Sequence, residues 1–255
     1  MATVRRRKKK QQAPPFVVAV ALVVTGLLLA FVLQRTLPHR ESVAERLPPP
    51  EFANLLPAGA EAGAGGALEL PDSPQPAYVV GYAASNGEIE VALIVWDKQA
   101  EKYRLGSKLA LRTGDVRLES VPTLKAVSLG RGAPIAVLAR GSAGAYVDAV
   151  FVLVRQGNEI RFVAKQEKDG HAGIAFFLSG ASVRHSEDVD FGDVDGDGAK
   201  EAVVNESTTD DRGVKQTSVS VYVLKEGVFV YDEDLSKALT LSRKVFPEPT
   251  APPTE

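Results

Sequence analysis

Phe191-Gly192-Asp193-Val194-Asp195-Gly196-Asp197-Gly198-Ala199-Lys200-Glu201-Ala202-Val203-Val204 is the stretch from which the rest of this 255-residue chain is read. Carboxylates at 193, 195 and 197 alternate with small or single apolar residues, so a tight loop turns all three toward one point. Gly198 permits the sharp bend beyond them. A hard cation such as Ca2+ takes about six to eight oxygens in a flexible shell. The spacing predicts one Ca2+ held by Asp193, Asp195, Asp197, the backbone carbonyl of Ala199, and Glu201. Asp and Gly also build turns without a metal, so the pattern has that second reading. No catalytic role is expected for the ion. A catalytic metal keeps an open position backed by a base and a pocket, and the pattern offers neither.

The residues downstream of the loop separate two uses of it. An EF-hand needs a bidentate Glu at position 12, where Val204 stands, and helix-forming sequence is missing on both sides. An apolar strand comes next instead. Outward from it, Val91–Trp96, Asp148–Val154 and Ser218–Leu224 are short, β-branched and bounded by turn residues. Each is preceded by a shorter apolar strand (77–81, 134–138, 201–205) and followed by an amphipathic one (102–105, 159–162, 227–231). The long strands start at 91, 148 and 218, a spacing of propeller-blade size plus connecting loops. The expected fold is mainly β, built of three weakly repeated units, as a partial propeller, an open stack of antiparallel sheets, or a sandwich. One helix is expected near the end, Glu233 to Leu241, with Asp232 as its cap.

At residues 191–204, and more loosely over 189–231, the sequence resembles the FG-GAP or VCBS repeat family. That family's consensus runs Phe-Gly-Asp-x-Asp-Gly-Asp-Gly-x-x-Asp and then an apolar strand. Glu201 replaces the final Asp and keeps the carboxylate. The resemblance implies FG-GAP-like blades of the kind found in the integrin α-chain head, Ca2+ held for structure, and a surface that binds other molecules. The second unit has Ser128–Pro134 at the equivalent place without acids, and the first has no such loop, so one metal loop is expected.

The N-terminus reads differently. Residues 1–40 hold eight Lys/Arg and no acid, and residues 41–255 then carry a net charge of −10. The acidic portion argues against nucleic acid as a partner. Arg5 to Lys10 form a basic run, and Phe16 to Leu33 is an apolar stretch long enough to span a bilayer. Basic charge stays on the cytoplasmic side, which places the C-terminal part outside. The apolar core is longer than that of a secretory signal, and Gln34–Pro38 lacks a small-x-small cleavage pattern, so an uncleaved anchor is expected. The expected organisation is a cytoplasmic basic segment 1–15, a transmembrane helix 16–33, a Pro/Ala/Gly-rich linker 34–77, an extracytoplasmic β domain 78–246 and a disordered tail 247–255.

Cysteine is absent, which excludes disulfides, thiolate metal sites and a thiol nucleophile. His171 and His185 read as loop residues, Trp96 and Tyr103 as core, Asp210 and Asp211 as a loop tip, and Asn205-Glu206-Ser207 fits a glycosylation sequon at a strand end. The chain lacks a nucleophile elbow, a P-loop and a dinucleotide fingerprint. The expected protein is a single-pass membrane protein, not an enzyme, that displays a Ca2+-stabilised domain to a protein or polysaccharide of the envelope. The alternatives are an extracytoplasmic hydrolase on a β scaffold and a structural subunit of an envelope complex.

Overall fold

The long strands around Val91–Val95 and Ala149–Val154 are apolar on both faces, so each needs a cover on both sides. The computed structural model describes residues 51–71, 76–130, 132–182 and 184–245, and in it that requirement is met by stacking sheets. Strands β1 (Glu61–Glu69), β2 (Ala77–Ala83), β3 (Ile89–Asp97) and β4 (Lys102–Ala110) form one antiparallel sheet in chain order. A small hairpin, β5 (Arg112–Thr113) and β6 (Val116–Arg117), leads to a second meander of β7 (Thr123–Ser128), β8 (Ile135–Gly144), β9 (Val147–Gln156) and β10 (Glu159–Phe162). A third consists of β14 (His185–Gly192), β15 (Glu201–Thr209), β16 (Lys215–Lys225) and β17 (Val228–Asp232). Helix α1 (Glu233–Val245) comes last. The architecture is mainly β, and its sheets do not close.

Strand β9 shows why the layers form. Ala149, Phe151 and Leu153 pack with Val91, Leu93 and Val95 of the first meander, while Val150, Val152 and Val154 pack with Val189, Ala202 and Val204 of the third. The remaining face of the first sheet (Tyr78, Val80, Tyr82, Ile94) is covered by Phe52, Leu55 and Leu56. The remaining face of the third (Val203, Val219, Val221) is covered by Leu235 and Leu239 of α1.

Three short strands fill the gap between the second and third meanders: β11 (Ala164–Gln166), β12 (Ala172–Ile174) and β13 (Phe176–Ala181). They account for the wider spacing of the third long strand. One edge of β9 is shared: β10 pairs Leu153–Gln156, and β13 pairs Val147–Phe151. Val152 stands at the handover. Its N–H donates to Ala175 O (3.0 Å), and its carbonyl accepts from Val163 N–H (2.9 Å). Strand β13 also pairs with β14, which joins the second and third meanders in one sheet, and β11 runs parallel to β17 at the far edge of that sheet. Lys165 on β11 is buried there. Its Nζ donates to Phe176 O (3.0 Å), pairs with Glu167 (2.7 Å) and lies 4.7 Å from the Phe177 ring centre. Burial of a lysine needs this full set of partners.

The edge of β16 beyond the reach of β17 is closed by the helix. Ser236 Oγ accepts from Val221 N–H (2.9 Å), and Thr240 Oγ1 accepts from Val219 N–H (2.9 Å), two hydroxyls one helical turn apart. Asp232 caps α1 as the sequence indicates, its Oδ1 accepting from Leu235 N–H (3.1 Å). The helix runs four residues past the expected Leu241.

Each sequence unit gains a fourth strand at its start (β1, β7, β14) that the apolar pattern does not single out. For β1 this corrects the linker expected over 34–77. Residues 61–69 pair with β2, and the turn Phe52–Asn54 begins the cover of that sheet. The low-complexity Ala/Gly run lacks apolar bulk but suits a close approach: a Cβ on Gly63 would stand 2.5 Å from Val121 Cγ1. The basic segment 1–15, the span 16–33, the start of the linker and the tail 247–255 lie outside the described residues. Among the described residues no helix is long and apolar enough to cross a membrane.

Phe151 is fully buried between the first two meanders, against Phe162 and Phe176 (ring centres 5.7 and 6.0 Å). Phe151→Ala is expected to cost about 3–5 kcal/mol in urea unfolding. The single tryptophan, Trp96 on β3, reports the first sheet, whereas far-UV circular dichroism reports all three. Both signals should shift together; separate transitions would show that the layers unfold independently.

Candidate metal centre

The loop 193–200 connects β14 to β15, whose last register pair is Gly192 with Glu201. Its shape is set by its own aspartates. Asp193 accepts from Gly196 N–H through Oδ1 (2.7 Å) and from Gly198 N–H through Oδ2 (3.0 Å). Asp195 Oδ1 accepts from Asp197 N–H (3.0 Å), and Asp197 Oδ1 from Ala199 N–H (2.6 Å). Gly196 and Gly198 have φ of +82° and +88°, a region that other residues enter at a cost. The result draws one carboxylate oxygen from each of Asp193, Asp195 and Asp197 within 4.8 Å of the others, at an exposed position. Like charges this close repel, and a cation offsets that repulsion.

Glu201 differs from the three aspartates in being fully buried. Its Oε2 accepts from Val194 N–H (2.8 Å), which ties the carboxylate to the loop, while Oε1 is buried without a hydrogen-bond partner. Burial pushes this carboxyl above the usual carboxylate range. The Val194 N–H pulls it back, and the charges of Asp195 and Asp197 add to the upward push. A buried carboxylate oxygen with no donor is costly unless something positive meets it. The structure thus brings Asp193, Asp195 and Asp197 together, whereas Glu201 is not one of the carboxylates that converge within 4.8 Å and is tied instead to Val194. Ala199 lies in the same loop, packed by its Cα against the second meander.

That packing is the part sequence reasoning missed. Leu129 and Gly130, in the stretch that lacks acids, form the platform on which the loop rests. Lys200 N–H donates to Leu129 O (3.0 Å), and a Cβ on Gly130 (φ +132°) would stand 2.8 Å from Ala199 Cα. The glycine was the available signal: backbone can approach backbone this closely only where a side chain is missing.

The weaker candidates do not join this centre. His185 opens β14, 3.9 Å from Glu187 and 3.7 Å from Glu206, and His171 lies exposed in the β11–β12 turn. Asp210 and Asp211 close the opposite end of β15. Asp210 accepts from Arg212 and Val214 N–H (2.9 and 2.8 Å), and Asp211 pairs with Arg184. Trp96 meets Tyr103 edge-on at 5.0 Å, and burial pushes the Tyr103 hydroxyl up to about 12. Asn205 sits within β15, paired on both sides, its amide oxygen buried.

Gly130→Ala should force the loop off its platform and lower stability by about 1–3 kcal/mol. Gly132→Ala, where an added Cβ meets nothing within 4 Å but φ is +80°, serves as the comparison for backbone strain alone. Equal losses in the two variants, read from thermal unfolding, would remove the contact argument.

No protein-family model, no curated protein and no solved structure matches the chain.

Proposed function

We propose that this chain is a membrane-anchored, extracytoplasmic binding protein whose three meanders are FG-GAP-like blades and whose loop 193–201 holds a structural Ca2+. It acts by presenting a rigid surface to a protein or polysaccharide of the envelope, and it does no chemistry of its own. The observation that carries the metal reading is Glu201. Its carboxylate is fully buried with one oxygen lacking a donor, it is tied through Val194 to the loop that carries the three converging aspartates, and this supports a cation over a turn alone. The ion neutralises repulsion in a loop wedged between the second and third meanders, so its binding energy adds to folding energy. The basic run and apolar stretch at 5–33 support the anchor, and the net charge of −10 beyond it suits a domain that does not seek phosphate backbones.

The test is thermal unfolding of the full chain with Ca2+ and with chelator. At 100-fold excess over Kd, binding to the folded state alone adds about 2.7 kcal/mol, which for a domain of this size raises Tm by about 5–10 °C. Asp195→Ala should abolish the shift. Glu201→Gln keeps the acceptor for Val194 N–H but removes the buried charge; it should abolish the Ca2+ shift without lowering Tm in chelator. A loss of stability in chelator from Glu201→Gln, with the Ca2+ shift intact, would make Glu201 a loop staple and nothing more. Protease added to intact cells should digest the 51–245 domain, and protection there would overturn its placement outside.

A further inference from the structure

Lys125 on β7 and Lys200 just before β15 face the same cleft of about 400 Å3 between the second and third meanders. The cleft is of small-ligand size. Its lining is mixed: Leu138, Val150 and Phe191 contribute apolar surface, and a third cation, Arg140, lines it as well. The register Thr123–Arg140 and Lys125–Leu138 makes Lys125 and Arg140 diagonal neighbours on one face of the sheet. Two like charges in that relation repel unless each finds a counter-charge. Arg140 has one, Asp148 at 3.0 Å, and it also donates to Ser179 Oγ (3.1 Å). Lys125 and Lys200 have no carboxylate within 4.0 Å among the described residues, and Asp190 is the single acid lining the cleft. The lining residues therefore carry a positive balance, Lys125, Arg140 and Lys200 against Asp190, in a portion of the chain whose net charge is −10. A cleft of opposite sign to its surroundings, with low-dielectric walls, concentrates anions.

We propose that this cleft binds a small organic anion, with a carboxylate or phosphate on the ammonium groups of Lys125 and Lys200 and an apolar or ring portion over Phe191 and Leu138. The apolar side chains of Leu138, Val150 and Phe191 favour an organic anion over a bare inorganic ion, which would leave them in contact with water. Lys200 comes directly after the loop residue Ala199, and its own N–H is fixed on Leu129, so its backbone is placed by the same contact that seats the loop.

Calorimetric titration of the full chain with phenyl phosphate, benzoate and inorganic phosphate tests this, in Ca2+ and again in chelator. Phenyl phosphate or benzoate should bind saturably at one site and more tightly than inorganic phosphate, and the better of the two identifies the acid group. Lys125→Glu and Lys200→Glu should each weaken binding by about tenfold or more, Asp190→Asn should tighten it, and added salt should weaken it. Saturable binding in Ca2+ alone, or in both conditions, supports the site whichever way the metal test falls. The proposal is overturned if no ligand gives saturable heat into the millimolar range in either condition. It is equally overturned if both charge reversals bind as the parent does while retaining its Tm, or if inorganic phosphate binds as well as phenyl phosphate.

Discussion

Strand β9 has no polar face. Val150, Val152 and Val154 point one way and Ala149, Phe151 and Leu153 the other, and all six are buried. A strand of this kind cannot lie on the surface of a two-layer sandwich, because one row of large apolar side chains would face water. It forces a sheet above and a sheet below. The same demand recurs in β3, where Val91, Leu93 and Val95 face the second meander and Ala92 and Ile94 face the segment containing Phe52 and Leu56. Layering is thus a consequence of side-chain chemistry in a few strands.

The acidic loop belongs to this layering rather than decorating it. It extends from the β14–β15 hairpin at the contact between the second and third meanders and is fastened to Leu129 and Gly130. Apolar packing is strong but non-directional, and it tolerates a sheet sliding against its neighbour. The two meanders are already joined at one edge through β13, and the backbone hydrogen bond to Leu129, with the close contact at Gly130, adds a second directional tie at the loop. The electrostatic strain of clustered carboxylates therefore sits where any loosening is transmitted to the interface.

Much of this is legible from residue order alone. The three long strands are visible because β-branched side chains crowd into short runs, and the cap at Asp232 because a carboxylate there meets free helical N–H groups. The converging aspartates are visible because carboxylates at 193, 195 and 197 in a Gly-rich loop are spaced to turn toward one point. The hidden elements share a physical cause: they depend on backbone rather than on side chains. Strand β1 pairs through N–H and C=O groups that an Ala/Gly run carries as well as any other, and its close approach at Gly63 needs the smallness that makes it look like tether. Strand β7 alternates exposed and half-buried positions and is too mixed to stand out. The parallel pairing of β11 with β17 involves three residues on each side, brought together by a crossing that no local pattern encodes. The place of Glu201 in the motif is readable from the sequence, but its complete burial and its tie to Val194 emerge only once the strand is paired.

The hydroxyls of Ser236 and Thr240 have a consequence for association between copies. A half-paired strand such as β16 offers main-chain groups to any passing polypeptide, the usual starting point of fibril growth. By placing serine and threonine one turn apart, α1 occupies those groups at Val219 and Val221 with a non-β partner that cannot itself be extended. Beyond them Lys215, Gln216, Thr217 and Ser218 are exposed and polar, a sequence poorly suited to a dry zipper. The terminal helix therefore acts as a stopper against templated polymerisation as well as a lid over apolar side chains.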